Sequence, residues 1–134
     1  MSQENVEVVR QMLDSFNRGD VAAVIGKFDK NCELHEPPEM PDRHALGFRG
    51  HNGIRDWMAN LREVGGIEFE PISFTTSGDV VLSELTARGR GQASGVQFEW
   101  TTFAVIRVRD AKIVGVESFL SRIEALEAAG LSEW

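Results

Sequence analysis

One stretch of this chain places an imidazole and a carboxylate side by side, His35-Glu36, and follows them at once with Pro37-Pro38. Such a pair can serve as acid and base near neutral pH if both groups reach the same space. Alternation through Cys32-Glu33-Leu34-His35 sends neighbouring side chains to opposite faces. The pair therefore works together only if the bend turns His35 inward; otherwise His35 sits behind a sheet or caps a loop. Glu36 itself reads either as a solvated loop carboxylate or as a general base, and Glu39 in the same loop is the more exposed of the two. His51 falls near the start of a helix, where a neutral imidazole is the simple reading because the positive end of a helix disfavours a second positive charge. A place for His51 at a cavity mouth is the functional alternative. His44 lies in a loop. His35, His44 and His51 lack the short spacings of metal motifs, so no metal is expected. The chain contains no tyrosine, which leaves Asp, Glu, His, Ser, Thr, Trp, Lys, Arg and the backbone to supply any acid, base or oxyanion donor. Gly65-Gly66 and Gly89-Arg90-Gly91 lack the strand–loop–helix setting of a phosphate cradle and read as turns and a bulge. Cys32 reads as a buried structural thiol.

The elements that position these residues come in two blocks. Val6, Val9, Leu13 and Phe16 recur at three- and four-residue steps in Asn5–Arg18, one stripe of a helix. Gly19 stops it, and Asp20 caps a second, shorter helix carrying Ala22, Val24, Ile25 and Phe28. A short strand at Cys32–His35 runs into three prolines in five residues, which forbid regular structure. A third helix opens near Gly50–Asn52 with Ile54, Trp57, Met58 and Leu61 on one face. After Gly65-Gly66 the segments Ile67–Thr76, Val80–Arg88, Val96–Val108 and Lys112–Leu120 are rich in Val, Ile, Phe and Thr and read as strands. Ser77-Gly78-Asp79 and Asp110-Ala111-Lys112 are hairpin turns between them. Ser121-Arg122-Ile123-Glu124 has capping-box spacing and opens a helix that Gly130 ends. Helices first and antiparallel strands after make an α+β protein.

The chain has 134 residues and 42% apolar content, enough for one domain, 1–134, with its own core. Its 14 Lys and Arg against 21 Asp and Glu give a formal charge of −7. That sign speaks against nucleic acid or an anionic membrane as partner. A single cysteine and no signal-peptide pattern fit a cytoplasmic setting.

Phe16-Asn17-Arg18-Gly19-Asp20, His35-Glu36-Pro37-Pro38, Phe48-Arg49-Gly50-His51 and Glu124-Ala125-Leu126-Glu127-Ala128-Ala129-Gly130-Leu131 together resemble the SnoaL-like polyketide cyclases. These belong to the nuclear-transport-factor-2-like superfamily, with the ketosteroid isomerases among its members. The resemblance covers essentially the whole chain. It implies a cone-shaped, strongly curved, mostly antiparallel sheet with three N-terminal helices on its concave face and a short C-terminal helix. It also implies a deep apolar cavity, no metal or other cofactor, and homodimers formed through the outer sheet face. Met12, Phe16, Trp57 and Phe103 would line the cone. Thr101 and Ser118 would face inward with Val81, Ser83, Leu85, Val105, Val116 and Leu120, while Glu84, Arg88, Trp100 and Glu117 would face outward. A slip of one residue or a bulge reverses such a parity.

Glu36 stands where the isomerases carry their proton-abstracting aspartate, just before a proline. At an apolar mouth desolvation brings such a base toward neutrality. The isomerase tyrosine position is Met12 here, and the strand acid aligns with Thr101, so an enolate would lack its oxyanion hole and steroid isomerisation is not expected. Ser121 replaces an acidic residue of many relatives, which favours a capping role there. The reading is a cofactor-independent isomerase, cyclase or lyase acting on a hydrophobic cyclic molecule. Glu36 is its proton acceptor, His35 or His51 a second group, and Thr101 a donor to substrate oxygen. The alternative is a non-catalytic ligand-binding or dimerisation module. Epoxide hydrolysis would need an Asp–Arg–Asp cluster that the aspartates, in helix exteriors, loops and turns, do not supply.

Overall fold

In the computed structural model, residues 2–40, 47–91 and 93–131 are described; Asp42 and His44 lie outside them. Helix α1 (Ser2–Asn17) buries Val9, Met12, Leu13 and Phe16, the apolar stripe of its sequence. Gly19 (φ +74°) turns the chain, and the Asp20 side chain accepts the Ala23 N–H at 3.1 Å to cap α2 (Val21–Gly26). Strand β1 (Phe28–His35) begins earlier than the alternation suggests, because Phe28 opens the strand rather than closing the helix. After the prolines, β2 (Phe48–Arg49) leads into α3 (Gly50–Gly65), which ends on Gly66 in the left-handed conformation. Then follow β3 (Glu68–Ser77), β4 (Val80–Arg90), β5 (Gln97–Arg109), β6 (Lys112–Phe119) and α4 (Arg122–Ala128). Ser121 accepts the Glu124 N–H at 3.3 Å, the cap that its spacing predicts. Among the described residues no helix is long and apolar enough to cross a membrane.

The strands form one curved six-stranded sheet in the order β2-β1-β6-β5-β4-β3. Strands β3 to β6 pair antiparallel with their sequence neighbours. Strand β1 pairs parallel to β6, with Leu34 opposite Val116 and His35 opposite Glu117. At the β5–β6 hairpin both Asp110 (φ 49°) and Ala111 (φ 62°) are left-handed, the two-residue turn that matches strand twist. An alanine there carries a Cβ strain that glycine does not. Ala111→Gly is expected to raise stability by about 1 kcal/mol, read as a higher urea midpoint; an unchanged or lower midpoint would remove that strain from the account.

One face of the sheet, under α1 and α3, carries the main core. Its central row is Val81, Ile106, Val116 and Leu34, each opposite the next across neighbouring strands. The other face is covered at one end by α4, where Val80, Leu82 and Val105 pack against Ala125 and Leu126. This second layer corrects the expected parity of β5. Thr101 pairs with Thr86 and is exposed, and Phe103 and Val105 point toward the α4 side. Trp100, Thr102, Ala104 and Ile106 point inward instead. Both faces of β5 are apolar between residues 103 and 106, so its alternation carries no sign of which side is the interior. On β4 and β6 the inward residues Val81, Leu85, Val116 and Ser118 stand as expected. Glu84 and Arg88 face outward, Glu84 toward Arg122 (3.4 Å) and Arg88 between Glu70 (2.6 Å) and Glu99 (3.0 Å). Leu120, expected inward, is exposed beyond the end of β6.

Candidate functional site

Between the helices and the inner sheet face lies a chamber with about 110 Å³ open to the centre of a water-sized sphere. One water needs only roughly 10–15 Å³ on that measure, so the chamber has room for a multi-atom ligand. Helix α1 contributes Met12 and Leu13. Helix α3 contributes Trp57, Asn60, Leu61 and Val64, residues at three- and four-step spacing and hence on one face. The sheet supplies the floor, with Leu85, Thr102, Ala104, Ile106, Val116 and Ser118. The bend after β1 supplies the rim: the Met40 N–H donates to the Pro37 carbonyl at 3.1 Å, a turn that brings both residues to the opening.

Few polar groups interrupt this surface. Glu36 continues the alternation of Leu34, and the β1–β6 register brings it beside Ser118. Its Oε1 is shut off from solvent. Ser118 lies in a row with Ala104 and Ser83, whose hydroxyl is fully buried behind the chamber floor. Thr102 donates its hydroxyl to the Phe119 carbonyl at 3.3 Å, so toward a ligand it can only accept. Asn60 faces the sheet from α3, and Trp100 adds an indole N–H. No Lys, Arg, His or Asp is among the described residues that line the chamber.

Aromatic rings gather at one row of the sheet, where Phe69 and Trp100 each stand opposite Ala87. Phe16 packs against Trp57 and Phe69, each with ring centres 5.1 Å away, while Trp57 and Phe69 stack at 6.4 Å and 15°. Phe16 thus backs the wall, and the rings it supports face the space. Two strands across from Phe69, Trp100 stacks on Phe98 at 5.8 Å and 12°. The end of α3 comes close to this pair because Gly65 has no Cβ; one would lie 2.7 Å from the Arg90 carbonyl and 3.0 Å from the Phe98 ring.

The structure separates the three residues read as acids and bases. Glu36 lies in the chamber wall. His35 points to the opposite face, 3.5 Å from Glu33, which also pairs with Arg49 at 3.5 Å. His51 Nε2 donates to the Phe28 carbonyl at 2.9 Å and ties the start of α3 to β1. Neither histidine lines the chamber. Of the expected ligand-binding residues, Met12, Trp57 and Ser118 line it; Phe16 stands behind it, and Thr101 and Phe103 lie on the far side of the sheet. Sequence reasoning missed Asn60, Trp100 and Thr102. Asn60 had a visible signal, a polar residue on the apolar stripe formed by Trp57, Leu61 and Val64. Cys32 is buried, and that burial pushes its thiol above the ordinary range. Among the described residues no group of three or more His, Cys, Asp or Glu is placed to hold a metal ion.

Element order, sheet order and the chamber between helices and sheet define the nuclear-transport-factor-2-like fold. The SnoaL-like domain family matches residues 9–116, and the chain belongs to that family. An NTF2-like protein from Burkholderia xenovorans LB400 is 26% identical, over 96% of this chain and 98% of that one, with a TM-score of 0.75. TerC, co-crystallised with polyporic acid, is 22% identical over 95% and 98% of the two chains, with a TM-score of 0.77. SalBIII, described as an epoxide hydrolase/cyclase-like enzyme in pyran ring formation in the polyether salinomycin, is 20% identical over 90% and 93%, with a TM-score of 0.75. These last two likenesses concern the fold. No curated protein sequence matches the chain.

Proposed function

We propose that the chamber takes a small, neutral, largely apolar ring compound and that Glu36 exchanges a proton with it, as in a cofactor-independent isomerase, cyclase or lyase. The observation that carries this reading is a carboxylate oxygen buried beside Ser118 in a wall made mostly of apolar side chains. A carboxylate held in the wall can take a proton from a ligand and give it back. Glu36 takes a proton from a carbon next to a ligand carbonyl. The electrons left behind move onto the carbonyl oxygen, where Ser118 or Asn60 donates a hydrogen bond. Glu36 then returns the proton to another atom of the same molecule. Neutral ligands are favoured because the described wall offers no cation to an anion, and an unpaired buried charge is costly.

A second reading, a binding module without catalysis, is supported by the apolar Met12 in the wall and by the Thr102 hydroxyl's donation to Phe119 instead of to the chamber. A panel of neutral polycyclic ketones, aromatic polyketides, terpenoid epoxides, polyporic acid and fatty acids, read by thermal unfolding, tests both. A ligand at 100 times its Kd adds about 2.7 kcal/mol. Neutral ring compounds are expected to raise the midpoint and fatty acids to leave it unchanged. A ligand that binds and is converted supports catalysis; one that binds and is recovered intact supports the module. Silence across the panel would overturn the chamber as a binding site.

A further inference from the structure

The Phe69 backbone, at the aromatic end of the chamber, is held from outside the sheet. Asn17, the last residue of α1, donates its Nδ2 to the Phe69 carbonyl at 2.8 Å and accepts the Phe69 N–H on its Oδ1 at 2.9 Å. Strand β3 is the sheet edge, and Phe69 stands opposite Ala87 of β4. In an antiparallel pair the N–H and C=O of one residue point to the same side. Both of these groups of Phe69 engage Asn17, so they point to the free edge, and the carboxamide behaves as one residue of an added strand. The residue before it, Phe16, packs against the Phe69 and Trp57 rings. The end of α1 therefore grips Phe69 twice, by its backbone and by its ring.

We propose that Asn17 is a positioning residue for ligand binding: by clasping the Phe69 backbone it sets the Phe69 ring against Trp57 and so shapes the aromatic end of the chamber. This rests on the reading that the chamber binds a ligand, and it is independent of any proton transfer by Glu36. Asparagine suits the task because a side chain of this length must donate and accept at once. Aspartate is nearly the same size and can accept the Phe69 N–H, but it sets a second acceptor against the Phe69 carbonyl. Alanine removes both bonds without adding a charge. A residue that merely covered an exposed sheet edge would change stability and leave ligand affinity alone.

The test is a double-mutant cycle on the binding of prodan, a neutral fluorescent aromatic ketone, with near-UV circular dichroism of the tryptophans as a second signal. Asn17→Asp is expected to weaken prodan binding about tenfold in the wild-type background and to have little further effect in a Phe69→Ala background. Asn17→Ala serves the same cycle where the aspartate variant does not fold. Equal losses in both backgrounds, or a lower unfolding midpoint with unchanged affinity, would overturn the proposal and leave Asn17 an edge cap. Failure of the wild type to bind any neutral ring compound, prodan included, would instead count against the chamber reading. The dichroism then decides for Asn17: a changed tryptophan band on Asn17→Asp that vanishes in the Phe69→Ala background supports the clasp, and an unchanged band refutes it.

Discussion

Glu36→Gln is expected to cut turnover of a chamber ligand by about 10²- to 10⁴-fold, the usual worth of one positioned acid–base group. Glutamine keeps the size and planar end of the side chain in the wall beside Ser118, but it cannot hold and return a proton. The interaction lost belongs to the transition state, so kcat and kcat/KM should fall together while ligand affinity changes little. The two histidines supply the contrast. His35 faces Glu33 and His51 faces the Phe28 carbonyl, both outside the chamber. Replacing either by asparagine should leave turnover within a few-fold of wild type, because no group that touches the ligand is removed. Stopped-assay product yields for the three variants decide the matter. Unchanged turnover in Glu36→Gln would take Glu36 out of the chemistry, and a large loss in His35→Asn would mean that the bend turns inward during reaction.

Ile106→Ala is expected to cost about 2–5 kcal/mol of stability. Ile106 is 1% exposed, stands between Val81 and Val116 in the central row of the main core, and also forms part of the chamber floor. Truncation removes contacts on three strands and leaves a void next to an existing one. The void can merge with the chamber, which lets larger ring compounds enter. Ligands with one more ring or branch should therefore gain affinity as the apoprotein loses stability, because core and binding wall are the same atoms. Urea unfolding and ligand titration of one preparation measure both effects. A loss below about 0.5 kcal/mol, the ordinary scatter of surface substitutions, would show that the floor at Ile106 is not close-packed.

The caps and turns at Gly19-Asp20, at Ser121 and at the β5–β6 hairpin were legible because their signals are local. Gly19 and Asp20 end one helix and cap the next within a few residues, Ser121 and Glu124 form a box of four, and Asp110-Ala111 closes a two-residue turn. Each depends on backbone groups that the neighbouring side chain itself reaches. The resemblance placed Glu36 at the cavity, and the structure puts it in the wall. The parallel pairing of β1 with β6 was not legible, since its partners lie some eighty residues apart and no turn joins them. Nor could the residues tell which face of β5 is inside. That strand is covered by α1 on one side and α4 on the other, so polarity no longer marks the interior, and Thr101 and Phe103 change places with Thr102 and Ala104.

By itself, then, the sequence determined the main turns, the three longer helical stripes and the four long strands, and that an α+β domain with a carboxylate at its proline bend would result. The short β2 and the start of β1 at Phe28 escaped it. Only the tertiary structure decided which polar groups share the chamber with Glu36. The side a strand presents to the core depends on register and on what covers its other face, and both are set by partners distant in sequence.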